Sequence, residues 1–156
     1  MEHTEDMSAY KYEQAAQCLH SSKALIELGD YKGAANRSYY CVFHAMRSVM
    51  ALDNVDFGNH GQVIGYFRRE YIKTDVFPKE MSRIIDMLFK VRNKCDYDDF
   101  YVISKEDVVK QLNAAEYFLG EFGDYAMSVM EQCGVCSSLR TLVKQSSGLP
   151  IDVGED

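Results

Sequence analysis

From Val108 to Cys133 the apolar residues recur at a spacing that one kind of structure satisfies. Val108, Leu112, Ala115, Leu119, Phe122, Ala126, Val129 and Cys133 step alternately by four and three residues. That heptad rhythm lays a continuous apolar seam along an α-helix and demands another helix beside it over its whole length. Ser104, with Asp107 three residues on, resembles a capping box in which Asp stands for the usual Glu. Gly120 and Gly123 lie inside the run and cost about 1 kcal/mol each relative to Ala, which marks where such a helix can bend. A partner helix in the same chain and one in a second copy would satisfy the seam equally well.

The same periodicity returns upstream. Tyr12, Ala16, Leu19, Lys23 and Ile26 form a first stripe, stopped by Gly29. Ala35, Tyr39, Val42, Met46 and Val49 form a second, ending near Asp53-Asn54, and Ile64, Phe67 and Tyr71 a shorter third. Pro78 suits the first turn of a fourth helix with the stripe Met81, Ile84/Ile85, Leu88, Val91 and Cys95. Runs of strand-like alternation are hard to find. The expectation is an all-α, antiparallel bundle of four to five helices joined by short loops. Residues 1–136 would make one domain, followed over 137–156 by a short helix or a loose acidic tail.

At 156 residues such a bundle buries enough surface to need neither disulfides nor a metal. The five cysteines are odd in number and scattered. Cys133 and Cys136 have the spacing of a metal knuckle but no second pair, so neither metal nor cofactor is expected. No apolar stretch approaches the roughly 18 residues of a membrane span, and the acidic start MEHTEDMSAYKYEQ is unlike a secretory signal. A reducing cytoplasm is the expected compartment. The net charge of −7 argues against a general nucleic-acid binder. Its distribution is uneven, however. Residues 30–95 carry eleven Lys and Arg against seven Asp and Glu, and the remainder carries six against seventeen. A basic middle of this kind can offer a local anion site or simply reflect which helix faces are solvated.

Two interruptions of the apolar pattern carry the chemistry. The second segment is apolar around most of its girdle, except at Arg37, Tyr40, His44 and Arg47. Steps of three, four and three put these four on one face. They read either as a solvated face with snorkelling rings or as a phosphate site, since two arginines stand there without a carboxylate. The second interruption closes the fourth segment. Arg92-Asn93-Lys94-Cys95-Asp96-Tyr97-Asp98-Asp99 concentrates charge and hydrogen-bonding groups at its end, with the stem of Arg92 at the edge of the buried stripe. Arg92 and Asp96 are four apart, as are Asn93 and Tyr97, so each pair can meet on the helix surface.

Together these pieces resemble a HEPN domain, the higher-eukaryote and prokaryote nucleotide-binding helical family, and within it a compact, stand-alone prokaryotic subfamily. The resemblance rests on Arg37-Ser-Tyr-Tyr-Cys-Val-Phe-His44-Ala-Met-Arg47, on His60 opening the third helix, on Arg92-Asn-Lys-Cys-Asp96-Tyr97-Asp98, and on a long final helix over Glu106–Leu119. It spans roughly Glu13 to Leu119. It implies a helical bundle that forms a homodimer, often with the arginine motif in a cleft between protomers. It also implies an RNA or nucleotide ligand. Many members resemble metal-independent ribonucleases, some of them toxins paired with a nucleotidyltransferase antitoxin. The family signature runs Arg, a polar residue, a short spacer, then His. Here Arg92-Asn93 fits and Tyr97 stands at the histidine position, while Asp99 stands where some toxin members have a tyrosine.

Metal-free RNA cleavage needs a base for the 2′-hydroxyl, an acid for the leaving oxygen and cationic support for the phosphorane. By that division Arg92 supplies the charge and Asn93 sits beside it. Tyr97, a phenol and hence a poor base, donates a proton or a hydrogen bond, and His44 or His60 serves as base. Arg37, Tyr40, Arg47 and Asp96 frame the nucleic acid. The competing reading is a non-catalytic dimeric adaptor that holds a protein partner, with Arg92 serving only as the structural pair of Asp96.

Overall fold

The computed structural model describes residues 2–133. Five α-helices follow one another: α1 (Glu2–Glu27), α2 (Tyr31–Leu52), α3 (His60–Phe67), α4 (Glu80–Tyr97) and α5 (Lys105–Cys133). A single π-helical turn, Arg68–Ile72, extends α3. No strand occurs among the described residues, and none of these helices is long and apolar enough to cross a membrane. The tail, with Cys136, lies outside the described residues.

The first turn forms where the stripe predicts it. Gly29 takes φ +83°, a conformation that strains any side chain with a Cβ. Its N–H bonds to the Ile26 carbonyl, and that of Asp30 reaches back to Leu25, the pair of bonds that closes a helix on a left-handed residue. Asp30 then caps α2 by accepting the Gly33 N–H at 2.9 Å. So tight a reversal lays α1 and α2 antiparallel, and small residues keep them close. Ala15, Ala34, Ala35 and Ala45 are buried. The Ser8 hydroxyl donates to the Ser48 carbonyl at 2.7 Å, and that of Ser22 reaches the Ala34 carbonyl at 2.9 Å.

Helix α2 is central. Thirteen of its residues are buried, and Arg37, Tyr40, His44 and Arg47 break the burial along one row. The seam of α5 is buried from Val108 to Ala126 and closes within the chain, against α1 and α2. Ser104 Oγ caps α5 by accepting the Asp107 N–H at 3.1 Å, and the helix runs unbroken past both glycines. With α4 antiparallel to both α2 and α5, the bundle runs up-down-up-down, and α3 lies within the α2–α4 connection.

Two details depart from the sequence reading. Pro78 stands just outside α4, which begins at Glu80, and gives its carbonyl to the Met81 N–H. The third stripe does not stay α-helical. The Lys73 N–H bonds five residues back to Arg68, and the inserted residue lets Tyr71 and Ile72 both turn inward. Tyr71 there joins Phe67, Phe77, Phe118 and Phe122 in an aromatic cluster between the π-turn and α5.

Candidate functional site

Tyr40 is the meeting point of the two polar interruptions. Antiparallel packing carries the end of α4 past the start of α2, so Arg92 Nη2 donates to the Tyr40 hydroxyl at 3.1 Å. The Arg92 side chain is only 15% exposed. Its guanidinium lies 5.5, 5.4 and 5.8 Å from the ring centres of Tyr39, Tyr40 and Tyr97, an environment that favours a delocalised cation. Arg92 Nε is 3.0 Å from the Asp96 carboxylate, close enough for an ion pair although the N–H is not aimed at it. Nη1 donates to Asn93 Oδ1 at 3.1 Å.

A second guanidinium faces the same ring, with Arg37 5.1 Å from the Tyr40 centre. Asn36, which sequence reasoning missed, links the two arginines. Its Oδ1 accepts from Arg37 Nε and Nη2 at 3.1 and 2.6 Å, and its Nδ2 donates to Asp96 at 3.0 Å. The signal for Asn36 was present, because it lies one helical turn before Tyr40 on α2.

Both matched histidines come to Tyr40 as well. The His60 ring is 5.8 Å from it edge-on and stacks on Phe43 at 4.2 Å. His60 Nδ1 shares a 2.7 Å hydrogen bond with the hydroxyl of buried Tyr39, donated in the direction the tautomer sets. The Asn59 side chain holds His60 at the start of α3 by accepting the Gly61 N–H at 2.8 Å. Burial, then the charges of Arg92 and Arg47, lower the His60 pKa below its ordinary value. The His44 ring lies 6.0 Å from Tyr40, and its Nδ1 is buried without a hydrogen-bond partner. Burial, reinforced by Arg47, Arg37, Lys11 and His60, lowers its pKa to about 4. Both rings are therefore neutral near pH 7.

Arg47 is engaged elsewhere. It grips Asp56 with Nε and Nη2, each at 2.9 Å, and Lys11 Nζ reaches the same carboxylate at 2.9 Å. Asn93 and Tyr97 do not pair, since Asn93 is taken by Arg92 and Tyr97 faces solvent at the last position of α4. Among the described residues no three His, Cys, Asp or Glu side chains gather as a metal-binding set.

The family model for the HEPN domain matches residues 9–125. The chain belongs to the HEPN domain family. A UPF0332 protein of Thermotoga maritima is 29% identical over 119 residues, covering 76% of this chain and 90% of that protein. Two proteins of Methanocaldococcus jannaschii carry the name "Putative toxin". One is 28% identical over 116 residues, 74% of this chain and 79% of its own. The other is 29% identical over 85 residues, 54% and 63% respectively. In this HEPN domain, Tyr40 thus gathers two arginines and two neutral histidines, with Asp96 as the carboxylate bound among them.

Proposed function

We propose that this HEPN protein acts on RNA as a toxin-type, metal-independent endoribonuclease of the cytoplasm. The observation that carries the reading is the convergence on Tyr40 of Arg92, Arg37 and a neutral His60. Two guanidiniums against one carboxylate leave a positive surplus for a phosphate. In the tautomer with the proton on Nδ1, donated to the Tyr39 hydroxyl, His60 has a lone pair on Nε2 to take the 2′-hydroxyl proton. The 2′-oxygen then attacks phosphorus, the bond to the 5′-oxygen breaks, and that oxygen takes a proton from Tyr97, later restored by water. Arg92 and Arg37 offset the charge gathering on the phosphorane, while His44 and Arg47 shape the field behind them. The names of the two Methanocaldococcus relatives support the toxin part of the reading. A homodimer and a nucleotidyltransferase-type partner complete it.

One observation favours a second reading. Arg92 is already tied to Asp96, and Asp96 to Asn36, as in an adaptor whose arginine only braces two helices. The two readings separate when a mixed-sequence RNA is incubated in EDTA with wild type and with Arg92→Ala, each well below its melting temperature. Cleavage by wild type alone supports the ribonuclease. A shift of labelled RNA without cutting keeps RNA as ligand and removes the chemistry. If wild type neither cuts nor binds, and Arg92→Ala has lost about 2 kcal/mol of stability, the arginine is a brace.

A further inference from the structure

The segment joining α4 to α5 carries apolar side chains that the fold does not use. Tyr97, Phe100 and Val102 are 77%, 93% and 85% exposed, within six residues of one another. The backbone there is held in shape. Asp98 Oδ1 accepts the Phe100 N–H at 3.0 Å, its carbonyl accepts the Tyr101 N–H at 3.1 Å, and Lys32 Nζ reaches the same carbonyl at 3.4 Å. Beyond that turn alternate residues take opposite sides. Tyr101 and Ile103 turn in and join Ala34, Ala35, Cys95 and Val108, while Phe100 and Val102 turn out. Folding requires apolar groups only at the inward positions. A phenylalanine held out in water by a capped turn suits contact with something that arrives.

Its setting indicates what arrives. Arg92 lies 5.8 Å from the Tyr97 ring centre, so the arginine read as the phosphate ligand adjoins the patch. An exposed ring beside a guanidinium is an arrangement that holds unpaired bases, the base stacking on the ring while its phosphate meets the cation. The three side chains together offer about 500 Å² of apolar surface, room for a stacked base or two.

We infer that Tyr97 and Phe100 form a base-stacking subsite for an unpaired nucleotide next to the phosphate held at Arg92. This rests on the proposed RNA-directed function and adds to it the part of the ligand that the loop reads. The subsite passes over duplex RNA, whose bases are already stacked on one another.

The test uses 2′-O-methyl RNA, which cannot be cleaved through its 2′-oxygen, in single-stranded and hairpin-duplex forms, with 2-aminopurine at one position. Affinity is read by anisotropy and stacking by quenching of the 2-aminopurine. Wild type should bind the single strand tighter and quench it. Phe100→Ala should weaken single-strand binding by roughly tenfold or more, abolish most of the quenching and leave duplex binding unchanged. Tyr97→Phe, which keeps the ring but not the hydroxyl, should keep the 2-aminopurine quenching, and Tyr97→Leu should lose it. Full single-strand affinity in Phe100→Ala, with binding lost in Arg92→Ala, overturns the subsite and leaves the RNA reading standing. Equal affinity for strand and duplex overturns it as well. A change of oligomeric state in Phe100→Ala with RNA binding intact gives the patch to a second copy. Absence of wild-type binding to either RNA removes the subsite together with the reading beneath it.

Discussion

Replacing Asp56 by Asn is the sharpest test of the charge arrangement behind the site. The Lys11 side chain is only 4% exposed and its ammonium is 2.9 Å from Asp56 Oδ2, while Asp56 itself is 46% exposed. Arg47 occupies both carboxylate oxygens from the other side. These two cations hold the Asp56 pKa down to about 2, against an ordinary 3.8. A shift of that size corresponds to about 2.4 kcal/mol at face value, and screening at a half-exposed carboxylate reduces it to about 1 kcal/mol. Asn keeps the volume and removes the charge, so it also strands the sealed Lys11 ammonium. Stranding one partner of a buried pair costs about 3–5 kcal/mol. With one side of this pair open to water, we expect a total loss of about 2–3 kcal/mol at pH 7. The assay is urea unfolding followed by circular dichroism, with Lys11→Met and the double variant alongside. Lys11→Met should restore much of what Asp56→Asn loses. Because the folded-state pKa is depressed, the carboxylate stabilises above about 3.8 and that stabilisation is lost as pH falls toward 2. The gap between wild type and Asp56→Asn should therefore narrow between pH 4 and 2. A loss under 0.5 kcal/mol at pH 7, or a gap that stays constant with acid, would refute the reasoning.

The two histidines give pH signatures of their own. A base at His60 works when neutral, and burial holds its pKa below the ordinary 6.5, so the cleavage rate should rise with pH through a midpoint under 6.5 and then level off. A midpoint above 6.5 would assign the base elsewhere. For His44, with a folded-state pKa of about 4, the unfolded chain binds the proton first as pH falls from 6.5. Stability should be full above pH 6.5 and decline between 6.5 and 4, and His44→Gln should flatten that part of a melting-temperature profile.

The bundle was legible in the sequence because helix periodicity is local. Each stripe names its own buried face, and Gly29, Asp30 and Ser104 end or begin helices through groups within a few residues of themselves. The seam of α5 was legible as a demand for a partner helix, though not as a choice of partner; α1 and α2 of the same chain meet it. The row Arg37, Tyr40, His44, Arg47 was legible for the same reason as the stripes. What escaped is pairing across the fold. Asn36 with Asp96, Tyr39 with His60 and Lys11 with Asp56 join residues far apart in the chain, which no spacing rule connects. The spacing rule also proposed a pair that does not form. Asn93 and Tyr97 are correctly spaced, but Tyr97 is the last residue of α4 before an extended Asp98, and Arg92 has taken the Asn93 carbonyl.

These misses have one physical source. A polar group on a nearly buried helix must find a partner, because burying it bare costs more than a typical hydrogen bond contributes. Arg47 resolves this with Asp56, and the result is a closed pair gripping both carboxylate oxygens. Arg92 and Arg37 resolve it differently. They divide their donors among a phenol, two amide carbonyls, one carboxylate and a thiol, with aromatic rings closing around both guanidiniums. A guanidinium bound in fragments by weak, mostly neutral acceptors is held in place without being neutralised. Arg37 has no carboxylate partner among the described residues, and Arg92 shares Asp96 through one N–H that is not aimed at it, whereas Arg47 would have to surrender both oxygens of Asp56. That difference in how three arginines are satisfied, more than their number, is why we place the proposed anion site at Tyr40 and not at the far end of the same helix face.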